Sequence, residues 1–219
     1  MTVLPLPEPT SLTDAVTAFS CDVSSLLPSN WQQEIRLCSS ENSNWQVLDG
    51  ASVTSREEEF KDPASPRVGV VTGEIVAREL TWLDYLYRNE FLELVNTVGG
   101  DRYEVCEDPR AGVNINATPQ GARYEWHVDS NPITGLLFAT SHPPHEGGQL
   151  LFRPDPLARP HEDWSIQVSP TAGTLIIFDA REAAHVVTRL EAELRLSVPM
   201  NYYFVGRQER PEDLDDYLY

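Results

Sequence analysis

The residues with the clearest chemical potential lie in Arg123-Tyr124-Glu125-Trp126-His127-Val128-Asp129-Ser130, where an imidazole and a carboxylate stand two positions apart. On an extended strand that spacing sends His127 and Asp129 from the same face, where both can reach one metal ion. A lone His-x-Asp is a weak signal, because such pairs arise often by chance and usually serve a surface or a hydrogen bond. The weight comes from downstream. Gly173-Thr174-Leu175-Ile176-Ile177-Phe178-Asp179 reads as an apolar strand, a turn follows, and His185 opens the next strand, offering a third ligand from a second sheet. Ten residues on stands Arg195, and Leu194-Arg195-Leu196-Ser197-Val198 alternates so that Arg195 and Ser197 share the face opposite three aliphatic residues. A guanidinium held inside a barrel suits a bidentate grip on a carboxylate, with Ser197 adding one hydrogen bond. Burying that arginine with no anion would be expensive.

Two imidazoles and one carboxylate form the facial set by which non-haem iron(II) oxygenases hold their metal. The ordered series His127-x-Asp129, His185 and Arg195 resembles the 2-oxoglutarate and iron(II)-dependent dioxygenase superfamily. Tyr124-Glu125-x-His127-x-Asp129, Gly147-Gly148 before a strand, and the 173–178 strand before the distal histidine further look like its prolyl 4-hydroxylase-type branch. The resemblance spans roughly residues 113–204. It implies a double-stranded β-helix, Fe(II) on His127, Asp129 and His185, and O2 as oxidant. It also implies 2-oxoglutarate chelating the iron through its 2-oxo acid end, with the far carboxylate on Arg195 assisted by Ser197. That branch often has Lys where this chain has Arg195. The leading expectation is therefore hydroxylation of an unactivated C–H bond in a small molecule, a free amino acid or natural-product intermediate, with a peptidyl (prolyl-type) substrate as the alternative. Related halogenases place a small residue at the carboxylate position so that halide can bind; Asp129 blocks that option and points to hydroxylation or desaturation. Two other readings keep the ligands but change the chemistry: a non-catalytic cupin-like binding protein, and a zinc-dependent hydrolase. The inward Arg195 and Ser197 argue against the hydrolase.

Several further residues bear on the pocket. Asn114 and Asn116 lie two apart on a neighbouring strand and are candidates to line it, although Asn near strand ends also serves turns. Ser130 and Asn131, directly after Asp129, are placed to touch substrate or to orient the carboxylate. Trp126 faces away from the ligands and reads as core. Strict alternation puts Tyr124 on that opposite face too. His142, His145 and His161 sit among Pro, Gly and Glu and are expected as solvated loop histidines, and the 141–148 loop is a candidate lid.

These residues need a scaffold of strands. From residue 102 onward, runs of four to eight residues bounded by Gly, Pro, Asn and Asp predict strands over 103–106, 113–117, 124–128, 133–140, 149–153, 164–168, 174–179, 185–188 and 194–204. That set suffices for a double-sheet jelly roll, so the fold class is mainly β with N-terminal helices. Before it, Leu80, Leu83, Tyr87, Phe91, Leu94 and Val98 recur at helical spacing over 79–98, and Gly99-Gly100 ends the pattern. A second helix is expected over 11–27, closed by Pro28, and 39–66 reads as a connecting region. The expected organisation is a mostly helical support region over 1–100, a catalytic core over 101–206 and an acidic arm over 207–219.

With 16 basic against 34 acidic residues, the formal charge is −18, and the acidic residues are spread along the chain. This disfavours nucleic acid and anionic membranes as partners. Cys21, Cys38 and Cys106 are too few and too scattered for a disulfide framework or a CxxC metal site, and no segment is long and apolar enough to span a bilayer. A reduced, cytoplasmic setting is expected, with a small-molecule partner and association into a homodimer left open.

Overall fold

A computed structural model describes residues 6–13, 17–46, 68–100, 102–153 and 166–208. Among the described residues, thirteen strands form two sheets. Their order in the chain is β1 (Thr10–Ser11), β2 (Ala18–Asp22), β3 (Asn44–Gln46), β4 (Val68–Val71), β5 (Tyr103–Val105), β6 (Ile115–Pro119), β7 (Tyr124–His127), β8 (Ile133–Phe138), β9 (Leu150–Arg153), β10 (Ile166–Val168), β11 (Thr174–Asp179), β12 (Ala184–Val187) and β13 (Leu194–Phe204). The larger sheet runs β1-β2-β11-β8-β13-β6-β4-β3, with β5 added against β13; the smaller runs β10-β9-β12-β7. All nine strands expected after residue 102 are present, most trimmed by a residue or two at an end.

Alternation explains how both faces of the larger sheet become buried. On β11, Leu175 and Ile177 join the core shared with the helices, while Ile176 and Phe178 join the core shared with the smaller sheet. β8 divides likewise, with Leu137 on the helical side and Leu136 and Phe138 inside. A strand covered on both faces must read as an unbroken apolar run, which is how 133–138 and 174–179 read. Two cores result, and the inner one is the barrel that holds the site.

The helices are α1 (Trp31–Asn42), α2 (Gly73–Glu79), α3 (Thr81–Arg88) and α4 (Glu90–Gly99). The expected single helix over 79–98 is two, broken at Asn89, whose side-chain amide donates to the Tyr85 carbonyl at 2.8 Å. An asparagine amide that satisfies a carbonyl four residues back replaces the next turn's hydrogen bond and ends the helix. The apolar stripe itself is correct: Leu83, Tyr87, Phe91 and Leu94 are buried against the larger sheet. Gly100, at φ 64°, stops the second helix as expected.

The expected helix over 11–27 is absent; β1, β2 and a single 3-10 turn at Ser24–Leu26 stand there, and residues 14–16 lie outside the described residues. β2 pairs with β11 from Thr174↔Asp22 to Phe178↔Ala18, so the hydrogen-bonding edge of β11 decides its conformation over local propensity. Part of the connecting region expected over 39–66 is also ordered, since α1 continues to Asn42 and β3 follows; 47–67 lies outside the described residues. β1 to β4 thus make the first hundred residues part of the larger sheet as well as its helical cover. The acidic arm lies outside the described residues apart from 207 and 208. No described helix is long and apolar enough to cross a membrane.

Tyr87 ties this cover to the catalytic strands. Its buried hydroxyl donates to the Asn201 carbonyl on β13 at 2.9 Å and accepts the Cys106 N–H at 2.7 Å. Replacing Tyr87 by Phe removes both of these buried hydrogen bonds, so Tyr87→Phe is expected to lower stability by about 2 kcal/mol. Urea unfolding measures this directly, and a change below about 0.5 kcal/mol would show that the two groups find other partners.

Candidate active site

β7 and β12 run antiparallel with His127 opposite His185, which sets the two imidazoles side by side with ring centroids 4.2 Å apart. Asp129 lies just past the end of β7, where its N–H donates to the Ala180 carbonyl at 2.8 Å and turns the chain across the barrel mouth. Asp129 Oδ1 is 3.4 Å from His127 Nε2 and 3.7 Å from His185 Nε2, and one ligand atom from each of the three residues lies within 4.8 Å of the others. The three expected ligands therefore converge.

Each ligand is aimed by its surroundings. His185 is buried, with Nδ1 3.1 Å from the Ala183 carbonyl. A carbonyl can only accept, so Nδ1 carries the hydrogen and Nε2 presents its lone pair toward Asp129. Burial first, and the neighbouring His127 second, push the His185 pKa down to about 4, against the opposing pull of Asp129 and the Ala183 carbonyl. The imidazole is therefore neutral at physiological pH, the form that can ligate a metal. Asp129 Oδ2 accepts a hydrogen bond from the Thr134 hydroxyl at 3.0 Å, and Thr134 in turn accepts from the Asn131 amide at 2.8 Å. With Oδ2 engaged, Oδ1 is the oxygen left facing the imidazoles. Two imidazole nitrogens and one carboxylate oxygen on one side of a cavity fit Fe(II).

Deeper in the barrel, Arg195 is 1% exposed. Its Nη1 donates to Ser197 Oγ at 3.0 Å, while Nε and Nη2 are buried and have no hydrogen-bond partner among the described residues. Burial pushes its pKa down to about 10, so it remains a cation. Thr118 sits opposite Arg195 in register, and burial pushes the nearby Tyr124 phenol up to about 12, with the Arg195 charge and the Thr118 hydroxyl pulling the other way. Every polar group here can donate: two guanidinium N–H groups, the phenol, and the hydroxyls of Thr118 and Ser197. What the cluster lacks is an acceptor with several lone pairs and a negative charge, and a carboxylate such as the distal one of 2-oxoglutarate would fit there.

Tyr124 is the main residue that strand alternation misassigned. Val187 pairs with Tyr124 and His185 with His127, so three steps on β7 match two on β12. This bulge turns Tyr124 back onto the face of His127, inside the barrel. Trp126 does face outward, packed with Ala184 and Val186 and with the Arg153 guanidinium 4.2 Å over its ring. Thr134 and Thr118 were also missed; the only sequence signal was a hydroxyl within otherwise apolar strands. Asn116 is half-buried and opposite Ser197, whereas Asn114 is buried with its N–H on the Pro199 carbonyl. Both amide hydrogens of Asn131 are engaged, on the Ile133 carbonyl at 2.7 Å and on Thr134, which gives it the carboxylate-orienting role. Ser130 offers its carbonyl to Arg181 Nε at 2.7 Å. His145 is exposed as expected and His161 lies outside the described residues, but His142 is buried and bonded at both ring nitrogens. The 141–148 loop, the candidate lid, lies beside Arg195, with Gly148 against the Arg195 side chain.

Residues 113–203 match the 2OG-Fe(II) oxygenase superfamily by sequence. No curated protein matches the chain in sequence. Among solved structures, the non-heme α-ketoglutarate-dependent epimerase SnoN from nogalamycin biosynthesis superposes with a TM-score of 0.62 at 15% identity, over 87% of this chain and 79% of its own. HygX from Streptomyces hygroscopicus, with nickel, 2-oxoglutarate and hygromycin B bound, gives 0.59 at 12% identity, over 90% and 87%. A prolyl hydroxylase from Trichoplax adhaerens in complex with a hypoxia inducible factor peptide gives 0.59 at 17% identity, over 86% and 85%. The two sheets are thus a double-stranded β-helix, the fold of the 2OG-Fe(II) oxygenases. Residues 113–203, the stretch similar to that superfamily, include His127, Asp129, His185 and Arg195, and the first three form a cluster that could hold a metal ion.

Two variants test the arrangement. Thr134→Val keeps the shape but frees Asp129 Oδ2, and the affinity of the metal-free protein for Fe(II) is expected to fall on the order of tenfold; equal affinities in an anaerobic titration would remove Thr134 from the site. Arg195→Met removes a buried cation with two unpaired donors. It is expected to abolish 2-oxoglutarate binding while leaving the ligand-free protein about 1 kcal/mol more stable. A variant that is less stable than the parent would show that Arg195 supports the fold.

Proposed function

We propose that this protein is an Fe(II)- and 2-oxoglutarate-dependent oxygenase that hydroxylates an unactivated C–H bond of a small molecule, a free amino acid or a natural-product intermediate. The observation that carries the reading is the buried Arg195 with two unpaired donors in a pocket of donors, because neither a hydrolase nor an inert barrel has reason to hold that charge. When iron and 2-oxoglutarate are bound, the chemistry supplied is reduction of O2 coupled to decarboxylation of 2-oxoglutarate to succinate and CO2, with the second oxygen atom entering the substrate as hydroxyl.

The chain's own residues account for order and outcome. Arg195, Ser197, Thr118 and Tyr124 grip the far carboxylate of the cosubstrate and so fix how deep it sits. His127, Asp129 and His185 occupy one side of the centre, which leaves the other side for cosubstrate and O2. Asp129, held by Thr134, fills the position a halide would need, which favours hydroxyl as the group delivered. The inner core of Leu136, Phe138, Phe152 and Phe178 excludes water beneath the ligands. SnoN and HygX, both similar in fold, are associated with natural products, which supports a small-molecule substrate.

The test is a screen of the Fe(II)-loaded protein, free amino acids first and natural-product intermediates next, reading succinate release together with a substrate mass gain of one oxygen. A peptide panel forms the last arm, because the Trichoplax hydroxylase is equally similar in fold. Coupled succinate release with a peptide alone would replace the small-molecule reading. Absence of the visible charge-transfer band on anaerobic addition of Fe(II) and 2-oxoglutarate, or activity with zinc in place of iron, would sink the oxygenase reading.

A further inference from the structure

His142 is a buried titratable side chain that no step above uses. It stands at the end of the barrel where β8 gives way to the 141–148 loop, 7% exposed, with Nε2 3.0 Å from the Thr140 hydroxyl and Nδ1 3.0 Å from a Glu146 carboxylate oxygen. The Thr140 hydroxyl also accepts the N–H of Leu196, the residue next to Arg195, at 3.0 Å. In the Nδ1–H tautomer these contacts form one continuous chain of donors. Leu196 N–H donates to Thr140, the Thr140 hydroxyl donates to Nε2, and Nδ1–H donates to Glu146, so every group in the chain has a partner.

The same loop forms the wall against the arginine. The Glu146 carbonyl accepts the Glu191 N–H at 2.7 Å, Gly147 bridges to Leu190, and Gln149 donates to the Pro144 carbonyl at 2.6 Å. Gly148 follows at φ 71°, so close to the arginine that a Cβ there would lie 3.1 Å from Arg195 Cδ. Arg195 is a long side chain whose head makes one hydrogen bond, to Ser197, and lies 5.4 Å over the Phe138 ring. The aim of its two unpaired donors therefore depends on what confines its stem and its strand; beside the pairing of β13 with β6 and β8, the loop that His142 braces acts on the stem through Gly148 and on the strand through the Thr140 contact to Leu196.

We propose that His142 is a positioning residue for the cosubstrate: by linking Thr140 to Glu146 it holds the loop and the Leu196 backbone so that the Arg195 guanidinium is set for a dicarboxylate. This rests on the reading of Arg195 as the 2-oxoglutarate anchor. It acts on the carboxylate end alone and leaves the metal ligands, on β7, just past its end and on β12, untouched.

The test compares two equilibrium affinities in each protein: Ni(II) for the metal-free protein, and 2-oxoglutarate for the Ni(II)-loaded protein, which cannot turn over. His142→Ala is expected to weaken 2-oxoglutarate on the order of tenfold, the loss of about one net hydrogen bond, with Ni(II) affinity within twofold of the parent. Thr140→Val, which cuts the same chain at its other link, should show the same selective loss, and Thr140→Ser should restore the parent's values. Glu146→Gln should stay within twofold, because an amide oxygen still accepts from Nδ1–H. Unchanged 2-oxoglutarate affinity in His142→Ala, or parallel loss of metal and cosubstrate in both His142→Ala and Thr140→Val, overturns the proposal. If His142→Ala alone fails to fold, Thr140→Val against Thr140→Ser decides. Failure of the parent protein itself to bind 2-oxoglutarate would instead overturn the functional reading.

Discussion

The antiparallel pairing of β7 with β12 is the contact on which the site depends, because it is what puts His127 opposite His185. Two residues nearly sixty positions apart in the chain become neighbours 4.2 Å apart at the ring centroids, and only then does Asp129 have two imidazoles to face. The pairing holds because the rest of the smaller sheet is anchored in apolar packing: Leu150, Phe152, Ile166 and Val187 interlock with Leu136, Phe138, Ile176 and Phe178 across the barrel. The edge of Phe178 against His185, at 4.9 Å, keeps that imidazole from rotating out of reach. A metal centre of this kind is thus set by packing beneath it as much as by its ligands.

Burial gives the site its chemistry and also its strain. His185 is kept neutral by the same desolvation that would make a charged imidazole costly, which suits a ligand. Arg195 cannot follow that route, since a guanidinium stays charged even with its pKa lowered to about 10. An unpaired buried cation persists only where something else gains from it. Here Thr118, Ser197 and Tyr124 add hydroxyls that can each donate, and no anion, to the same pocket, so the protein holds an electrostatic deficit that a carboxylate would fill.

The segment before residue 100 contributes by making the larger sheet stiff. Its helices cover the outer face through Leu83, Tyr87, Phe91 and Leu94, and β2 and β4 extend the sheet past both of its catalytic edges. Pairing of β2 with β11 and of β4 with β6 means that the strands carrying Asn116 and Phe178 have neighbours on both sides and cannot fray toward the cavity. Conversely, the acidic surface, with a formal charge of −18, plays no part in the interior, where the decisive charge is positive.

The chemistry was legible from residue types and spacing alone. His127-x-Asp129, His185 and Arg195 appear in order, each on a strand whose alternation or apolar run could be read locally, and the nine strands that carry them follow from turn residues and period. Local pattern could not show that β7 contains a bulge, because a bulge is created by the mismatch between two strands distant in sequence; it alone moved Tyr124 from packing residue to pocket residue. Nor could it show that 18–22 is a strand, since the free edge of β11 that recruits it lies some 150 residues away. The same holds for His142 and Thr134, whose neighbours within a few residues suggest loop and core. Their roles arise from long-range contacts and from the engagement of Asp129, which exist only once the two sheets have closed.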